Sequence, residues 1–169
     1  MKRGSLSPLL VHKKPSPISA VSPSDDWIEV EVTVDSGACE TVMPANIAQG
    51  IPIVKSSCSH EAEYEVANGA TIPNLGERRC LLMTLGSPST KKIVFQVADV
   101  HKPLLSISRC ADMGFNTYLG RDGGFMADVV TGERIPLVRQ DNLYTMKVWL
   151  RRDPGSDPPN NGQPFAGPV

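Results

Sequence analysis

The sequence predicts an all-β fold, a barrel or a sandwich, that contains one short helix. Apolar and polar residues alternate between Ile28 and Val34, which is the period-two pattern of a strand with one buried face. Further apolar segments of strand length follow, and clusters of Gly, Pro, Asn and Asp separate them. Short strands at this spacing are typical of barrels and sandwiches.

The other strands and turns follow in order along the chain. Residues 44–49 are expected to form a single helical turn after the first strand. Residues 61–66 and 70–72 are expected to form a hairpin, because the Asn68-Gly69 step between them favours a tight turn with positive φ. The remaining predicted strands are residues 80–85, 93–97, 115–119, 125–130, 134–138 and 143–149.

One segment has the features of a helix. Residues 106–113 follow the apolar pair Leu104-Leu105, and Gly114 comes directly after them. Glycine commonly ends a helix because it adopts the left-handed conformation without strain. A short helix is therefore predicted between the strands of the two halves of the chain.

The domain boundaries follow from composition. Residues 1–26 are rich in Ser and Pro, and residues 151–169 are rich in Pro, Gly and Asn. Both segments are predicted to be disordered, because they offer little apolar surface to bury. Residues 27–150 are expected to form one domain, since a chain of 169 residues is long enough for a substantial core.

Composition excludes several classes of function. A net charge of −1 gives no electrostatic reason to expect nucleic-acid binding. No apolar run approaches the roughly 20 residues that a membrane helix needs, and the N-terminus lacks the pattern of a signal peptide. We therefore expect a soluble intracellular protein, cytoplasmic and without a membrane or nucleic-acid partner.

The cysteines are expected to be free thiols in such a reducing compartment. They are Cys39, Cys58, Cys80 and Cys110. Cys58 and His60 lie two residues apart, but no second Cys or His pair at ligand spacing accompanies them. A metal or nucleic-acid module built on this pair is a weak alternative, and we predict neither a metal site nor a cofactor.

The segment Val34-Asp35-Ser36-Gly37-Ala38 is the most informative feature of the chain. An alternating strand leads into an aspartate on a turn of small residues, which is how aspartic proteases present a catalytic carboxylate. Peptide hydrolysis of this kind needs two carboxylates that share one proton, so that one acts as acid and the other as base. The chain contains one Asp-Ser/Thr-Gly tripeptide, so catalysis would need two copies of it.

Three further stretches extend the pattern: residues 66–76, 97–100 and 104–115. Together with residues 34–38, they resemble the flap, the turn before the second half, and the apolar pair and helix of a retropepsin. Retropepsins are the single-lobe aspartic proteases of retroviruses and retrotransposons, and residues 27–149 are most similar to the protease region of copia-type retrotransposon polyproteins.

The resemblance implies a fold, an activity and a set of residues. The fold would be a retropepsin-like closed barrel with one short helix and an additional C-terminal β-hairpin region. Asp35 would be the catalytic carboxylate of a homodimer that cleaves a peptide or polyprotein, and Ser36 and Gly37 would complete its loop. The substrate-binding residues would be Ala38, Asn68, Gly69, Ala70, Leu104 and Leu105, with the middle three at the flap tip.

The chain departs from the retroviral pattern in two places. Cys39 and Ile107 stand where retroviral enzymes have an Asp and an Arg that form an ion pair. Because both charged residues are absent here, neither charge is left without its partner. Retroviral enzymes also end near the position of Leu119, whereas this chain continues for about thirty more ordered-looking residues. The dimer interface is therefore expected to differ. The alternative function is a catalytically inactive retrotransposon remnant, or a domesticated protein-interaction domain.

Overall fold

The computed structural model describes residues 26–55, 63–87 and 89–156. Cys58, His60 and the greater part of the two segments predicted to be disordered lie outside these residues. The described chain is mainly β with one short α-helix, as predicted. Its elements are β1 (Ile28–Asp35), β2 (Val42–Met43), β3 (Glu63–Glu65), β4 (Thr71–Thr84), β5 (Lys91–Ala98), β6 (Leu104–Ser106), α1 (Ile107–Asp112), β7 (Phe115–Gly120), β8 (Gly123–Asp128), β9 (Arg134–Gln140) and β10 (Leu143–Arg152).

Six of these strands pair in a cyclic order. β1 lies between β6, to which it is parallel, and β10, to which it is antiparallel. β6 pairs with β2, β2 with β5, β5 with β4, and β4 with β10, which returns to β1. The side chains that the six strands bury form one apolar cluster, which includes Val32, Phe95, Val97, Val148 and Leu150.

The alternation predicted for β1 is confirmed. Val30, Val32 and Val34 are buried in the core, while Glu29 and Glu31 are exposed. The exception is Thr33, which is also buried, and its backbone N–H donates to the carbonyl oxygen of Pro103. The strand is therefore covered on both faces just before it delivers Asp35.

β7, β8 and β9 form an antiparallel meander that joins the rest of the sheet through β9 and β10. β10 itself runs beyond the predicted boundary at residue 150. Arg151 and Arg152 still pair with β4, and a short 3-10 helix (Pro154–Ser156) follows. The predicted start of the disordered tail at residue 151 is thus too early for these residues, because the long strand β4 supplies their pairing partners.

The single helical turn predicted for residues 44–49 is wrong. Ile47 N–H donates to the carbonyl of Pro44 and Ile51 N–H to that of Ala48, which gives two successive turns. The guanidinium of Arg78, whose residue is 3% exposed, occupies other carbonyls of this segment. In a helical turn at residues 44–49 the carbonyl of Ala45 would accept the N–H of Gln49, whereas here it accepts from Arg78.

Two other sequence predictions change in detail. The helix begins after its N-cap Ser106 and ends before Met113, with Gly114 at φ 87° immediately behind it. The strands predicted at residues 70–72 and 80–85 are parts of the single strand β4, which is irregular between Asn74 and Gly76. Within the described ranges, no helix has the length and apolar character required to cross a membrane.

Candidate active site

Asp35 is the last residue of β1 and lies at the rim of an open cleft. Its carboxylate Oδ1 accepts a hydrogen bond of 2.7 Å from the backbone N–H of Gly37. A Cβ at position 37 would lie 3.3 Å from the same oxygen, so a side chain there would crowd the carboxylate. The small-residue turn therefore fixes the orientation of Asp35, as its sequence predicted.

Ser36 and Gly37 are exposed, and Ala38 is half-buried. In the part of the chain that the structure describes, the Ser36 hydroxyl has no hydrogen-bond partner. The turn is closed instead by the contact between Gly37 and Asp35.

The buried residue Ser106 holds the Asp35 loop in place. Its residue is 0% exposed, and its hydroxyl donates a hydrogen bond of 2.6 Å to the carbonyl oxygen of Ala38. Its backbone N–H donates to Thr41 Oγ1 at 3.2 Å. The same hydroxyl oxygen caps α1 by accepting from the N–H of Arg109. One buried serine thus joins the Asp35 loop to the start of the helix.

An ion pair joins the far end of the loop to the helix. Arg109 Nε donates to Glu40 Oε2 at 3.0 Å, and its Nη2 contacts Oε1 of the same carboxylate. The hydrogen bond that Arg109 donates to Glu40 is the main reason why the pKa of Arg109 is raised. The pair lies one residue after Cys39 and two after Ile107, next to the positions where the charged pair of retroviral enzymes is missing.

Sequence reasoning missed this ion pair because it compared single positions. Glu40 directly follows Cys39 and Arg109 lies within one helical turn of Ile107, but 69 residues separate the two charged groups and no local pattern connects them. The ion pair links the loop to the helix although Cys39 and Ile107 are both uncharged.

The cleft has a volume of about 560 Å³ and lies between the Asp35 loop and the β3–β4 hairpin. Tyr64 and Ile72 face each other in the register of the hairpin, and both line the cleft. Further apolar residues of the strands and loops around the Asp35 loop complete the cleft lining. The lining residues are Asp35, Gly37, Ala38, Cys39, Glu40, Val42, Tyr64, Glu65, Val66, Ala67, Ile72, Val100 and Leu104.

The structure separates the two leucines that the resemblance assigned to substrate pockets. Leu104 lines the cleft, whereas Leu105 is 2% exposed and belongs to the core. Neighbouring residues of a strand point to opposite faces, so they cannot both face the same cleft. The assignment of Leu105 to a side-chain pocket is therefore corrected.

Asn68, Gly69 and Ala70 form the tip of the hairpin and are exposed, away from the cleft lining of the single chain. Gly69 N–H donates to Val66 O at 2.8 Å, and Asn68 Oδ1 accepts from Ala70 N–H at 2.9 Å. Of these residues only Gly69 has a positive φ, 79°. The tip is a three-residue loop with glycine at its left-handed position.

A series of polar side chains fixes the base of the hairpin. Asn74 Nδ2 donates to Tyr64 Oη at 3.1 Å and to Gln96 Oε1 at 2.8 Å. Asn74 Oδ1 accepts from Gly76 N–H, and Gln96 Nε2 donates to Glu77. Because Gln96 belongs to β5, these bonds tie the cleft residue Tyr64 to the central sheet.

Three acidic side chains belong to the cleft. Glu40 is held by Arg109, and Glu65 is an exposed residue of β3. Of the three, Asp35 is the carboxylate on a small-residue turn. Those ranges also hold no group of three or more His, Cys, Asp or Glu residues suited to a metal ion.

The chemistry available to one chain follows from this geometry. A single carboxylate at the cleft rim can accept a proton from water, but it cannot also donate one to a carbonyl in the same step. A second group must therefore come from elsewhere.

No protein-family model, curated protein or solved structure matches this chain.

Proposed function

We propose that this chain is an aspartic endopeptidase of the retropepsin type, active as a homodimer and derived from a copia-type retrotransposon polyprotein. One observation carries the proposal. The Asp35 carboxylate is fixed by Gly37 at the end of a buried strand, on the rim of a cleft that a β-hairpin covers.

In this proposal, two Asp35 carboxylates meet across a two-fold axis and share one proton. Like charges at this separation cannot both ionise, so one carboxyl is an acid and the other a base. The base takes a proton from water as its oxygen attacks the peptide carbonyl carbon, and the acid donates a proton to the carbonyl oxygen. As the tetrahedral species collapses, the carboxyl that took the water proton donates it to the leaving amine nitrogen, and the other carboxylate takes a proton from a hydroxyl of the diol, so that the pair again holds one proton.

The substrate would be an extended peptide or polyprotein segment between the Asp35 loop and the hairpin. Extended peptides bind such sites through their main chain, while alternate side chains enter pockets. The side chains of Tyr64, Ile72 and Leu104 give the cleft apolar walls. We therefore expect apolar residues beside the bond that is cleaved.

The cyclic strand order also supports the proposal. In the barrel that we propose, β10 pairs with β1 on one side and β4 on the other, and so closes the ring from the C-terminal part of the chain. The residues that continue past Leu119 then have a role, because they complete the sheet in which Asp35 is held. The interleaved termini of the retroviral dimer are not needed for this purpose.

Cleavage of a peptide library by the full chain at mildly acidic pH tests the proposal. Asp35→Asn should abolish cleavage and leave the circular dichroism spectrum unchanged. Glu31→Gln is the matched control, because Glu31 is an exposed carboxylate on the same strand, and it should cleave like wild type.

Two results would overturn the assignment. One is cleavage that persists in the Asp35→Asn variant. The other is a folded dimer that cleaves no peptide of the library. In the second case a protein-interaction domain without catalysis, the alternative raised by the sequence, becomes the better interpretation.

A further inference from the structure

The turn between β7 and β8 and the turn between β9 and β10 lie at the same edge of the sheet as the end of β1. β10 begins where β1 ends, because Val34 is opposite Tyr144 in the antiparallel register. The Tyr144 hydroxyl donates a hydrogen bond of 2.6 Å to the carbonyl oxygen of Gly120, at the end of β7. The β7–β8 turn is thereby held against the start of β10, next to the strand that carries Asp35.

Arg139 joins the two turns into one surface. Its Nη1 donates to the carbonyl oxygen of Arg121 at 2.7 Å, and its Nη2 donates to Asn142 Oδ1 at 3.2 Å. Its guanidinium also lies 5.9 Å from the centre of the Tyr144 ring. Residues 119–123 and 139–143, which we call the turn surface, are thus connected through side-chain hydrogen bonds at the protein surface and not only through the chain.

The turn surface carries charges of both signs. Arg121, Asp122 and Asp141 are exposed, and among the described residues none of the three takes part in an ion pair. With Arg139, the surface has two positive and two negative groups. Two apolar side chains accompany them, since Leu119 is 45% exposed and Leu143 is 41% exposed.

We propose that the turn surface is a docking site for a second copy of this chain. The inference rests on the proposed function, because a second Asp35 can reach the first only if the two copies meet at this edge. A two-fold axis brings a surface into contact with itself, so a self-complementary surface is required. Balanced unpaired charges meet that requirement, because Arg121 of one copy can face an aspartate of the other.

Charge reversal tests the docking site. Sedimentation equilibrium measures dimerisation of the full chain, with Asp35→Asn present in every sample to prevent self-cleavage. Arg121→Asp makes the turn surface acidic and Asp122→Arg makes it basic. Each substitution alone should raise the dissociation constant of the dimer by about ten-fold or more, because in a two-fold dimer every substitution is present twice at the interface.

The mixture and the control make the test specific. An equimolar mixture of the Arg121→Asp and Asp122→Arg chains should form a mixed dimer more tightly than either chain dimerises alone. Glu133→Arg changes the net charge as much as Asp122→Arg, but it lies in the turn between β8 and β9 at the opposite end of the meander, and it should dimerise like the parent chain.

The outcomes separate this inference from the proposed function. If the parent chain dimerises, and both reversals dimerise equally well, the docking site is wrong while proteolysis at Asp35 still stands. If wild type dimerises through this surface but cleaves no peptide, the proposed activity is wrong and the docking site stands. Wild type that remains monomeric even with a pepstatin-like inhibitor overturns both.

Discussion

The hydroxyl of Ser106 lies 2.6 Å from the carbonyl oxygen of Ala38, although 68 residues separate the two in the chain. The contact couples the loop that carries Asp35 to the N-terminus of α1. Ser106 itself is fully buried and Ala38 is half-buried, so removal of the hydroxyl leaves a largely covered carbonyl without its donor. The position of the Asp35 turn consequently depends on a residue from the other half of the chain.

Ser106→Ala should lower the free energy of unfolding by about 1–2 kcal/mol, because it removes a helix N-cap and leaves the Ala38 carbonyl without its donor. Urea unfolding followed by circular dichroism measures the change. Ser108→Ala is the control, because Ser108 is exposed and contacts only the Ser106 hydroxyl among the described groups. Equal effects of the two substitutions would contradict the role assigned to Ser106.

Local patterns made part of this structure predictable. The alternation of β1, the Asp35 turn and the cap of α1 each depend on residues close together in sequence. The sequence could also have predicted that Leu104 and Leu105 face different environments, because adjacent residues of a strand point to opposite faces. What the resemblance suggested for Leu105 overlooked that rule.

Long-range pairing was beyond the reach of the sequence. The segment at residues 143–149 was recognised as a strand, but nothing local indicates that β10 lies between β1 and β4. The Glu40–Arg109 ion pair spans 69 residues, and no periodicity connects its members. Both features arise from the order of strands in the sheet, which depends on many contacts at once.

Arg78 is predicted to stabilise the turns at residues 44–51. Its buried guanidinium donates to carbonyl oxygens of Ile51, Ile47 and Ala45, and burial lowers its pKa. Arg78→Met should cost about 2–4 kcal/mol in the free energy of unfolding, because the carbonyls lose their donors. Arg78→Lys should recover only a small part, since one ammonium cannot reach the same set of acceptors.

Urea unfolding of both variants checks this prediction, with Arg134→Met as the control. Arg134 is exposed and its guanidinium lies over the Phe125 ring at the surface. Arg134→Met should therefore change the urea midpoint of unfolding little. An Arg78→Met protein as stable as wild type would show that the hydrogen bonds from Arg78 to the three carbonyls contribute nothing to folding.

Asp128 should make stability depend on pH. Backbone N–H groups of Thr131 and then Val130 donate to its carboxylate, and Lys91 lies nearby, so its pKa in the folded chain is lowered below 3.8. A lowered folded pKa stabilises the fold above the unfolded pKa, and this contribution disappears as pH falls through the folded pKa. Asp128→Ala should therefore destabilise at neutral pH and matter progressively less in acid.

Thermal unfolding of wild type and Asp128→Ala over a pH series measures the effect. Asp99→Ala serves as the control, because Asp99 is exposed and accepts none of the described hydrogen bonds. Its difference from wild type should be small at every pH. A difference for Asp128→Ala that stays constant from neutral to acid pH would rule out the contribution of the ionised carboxylate.

Gly76 is predicted to be required for the irregularity that lets β4 pass from the hairpin to the central sheet. It has a φ of 128°, and a Cβ there would lie 2.6 Å from the carbonyl oxygen of Val54. Gly76→Ala should cost about 2–4 kcal/mol, through both the backbone strain and the clash. Gly86 provides the comparison, because its φ is 83° but no atom of the described residues lies within 4 Å of a Cβ placed there.

Gly86→Ala should therefore cost only the backbone term, about 1 kcal/mol. The difference between the two variants, measured by urea unfolding, reports the crowding against Val54 and Ile53 together with the more strained φ at position 76. We also expect Gly76→Ala to impair peptide cleavage beyond its effect on stability, because Gly76 N–H bonds to Asn74, which in turn holds Tyr64 at the cleft. Equal losses of stability at positions 76 and 86 would mean that the chain at Val54 moves aside freely, and that β4 does not need a glycine at this point.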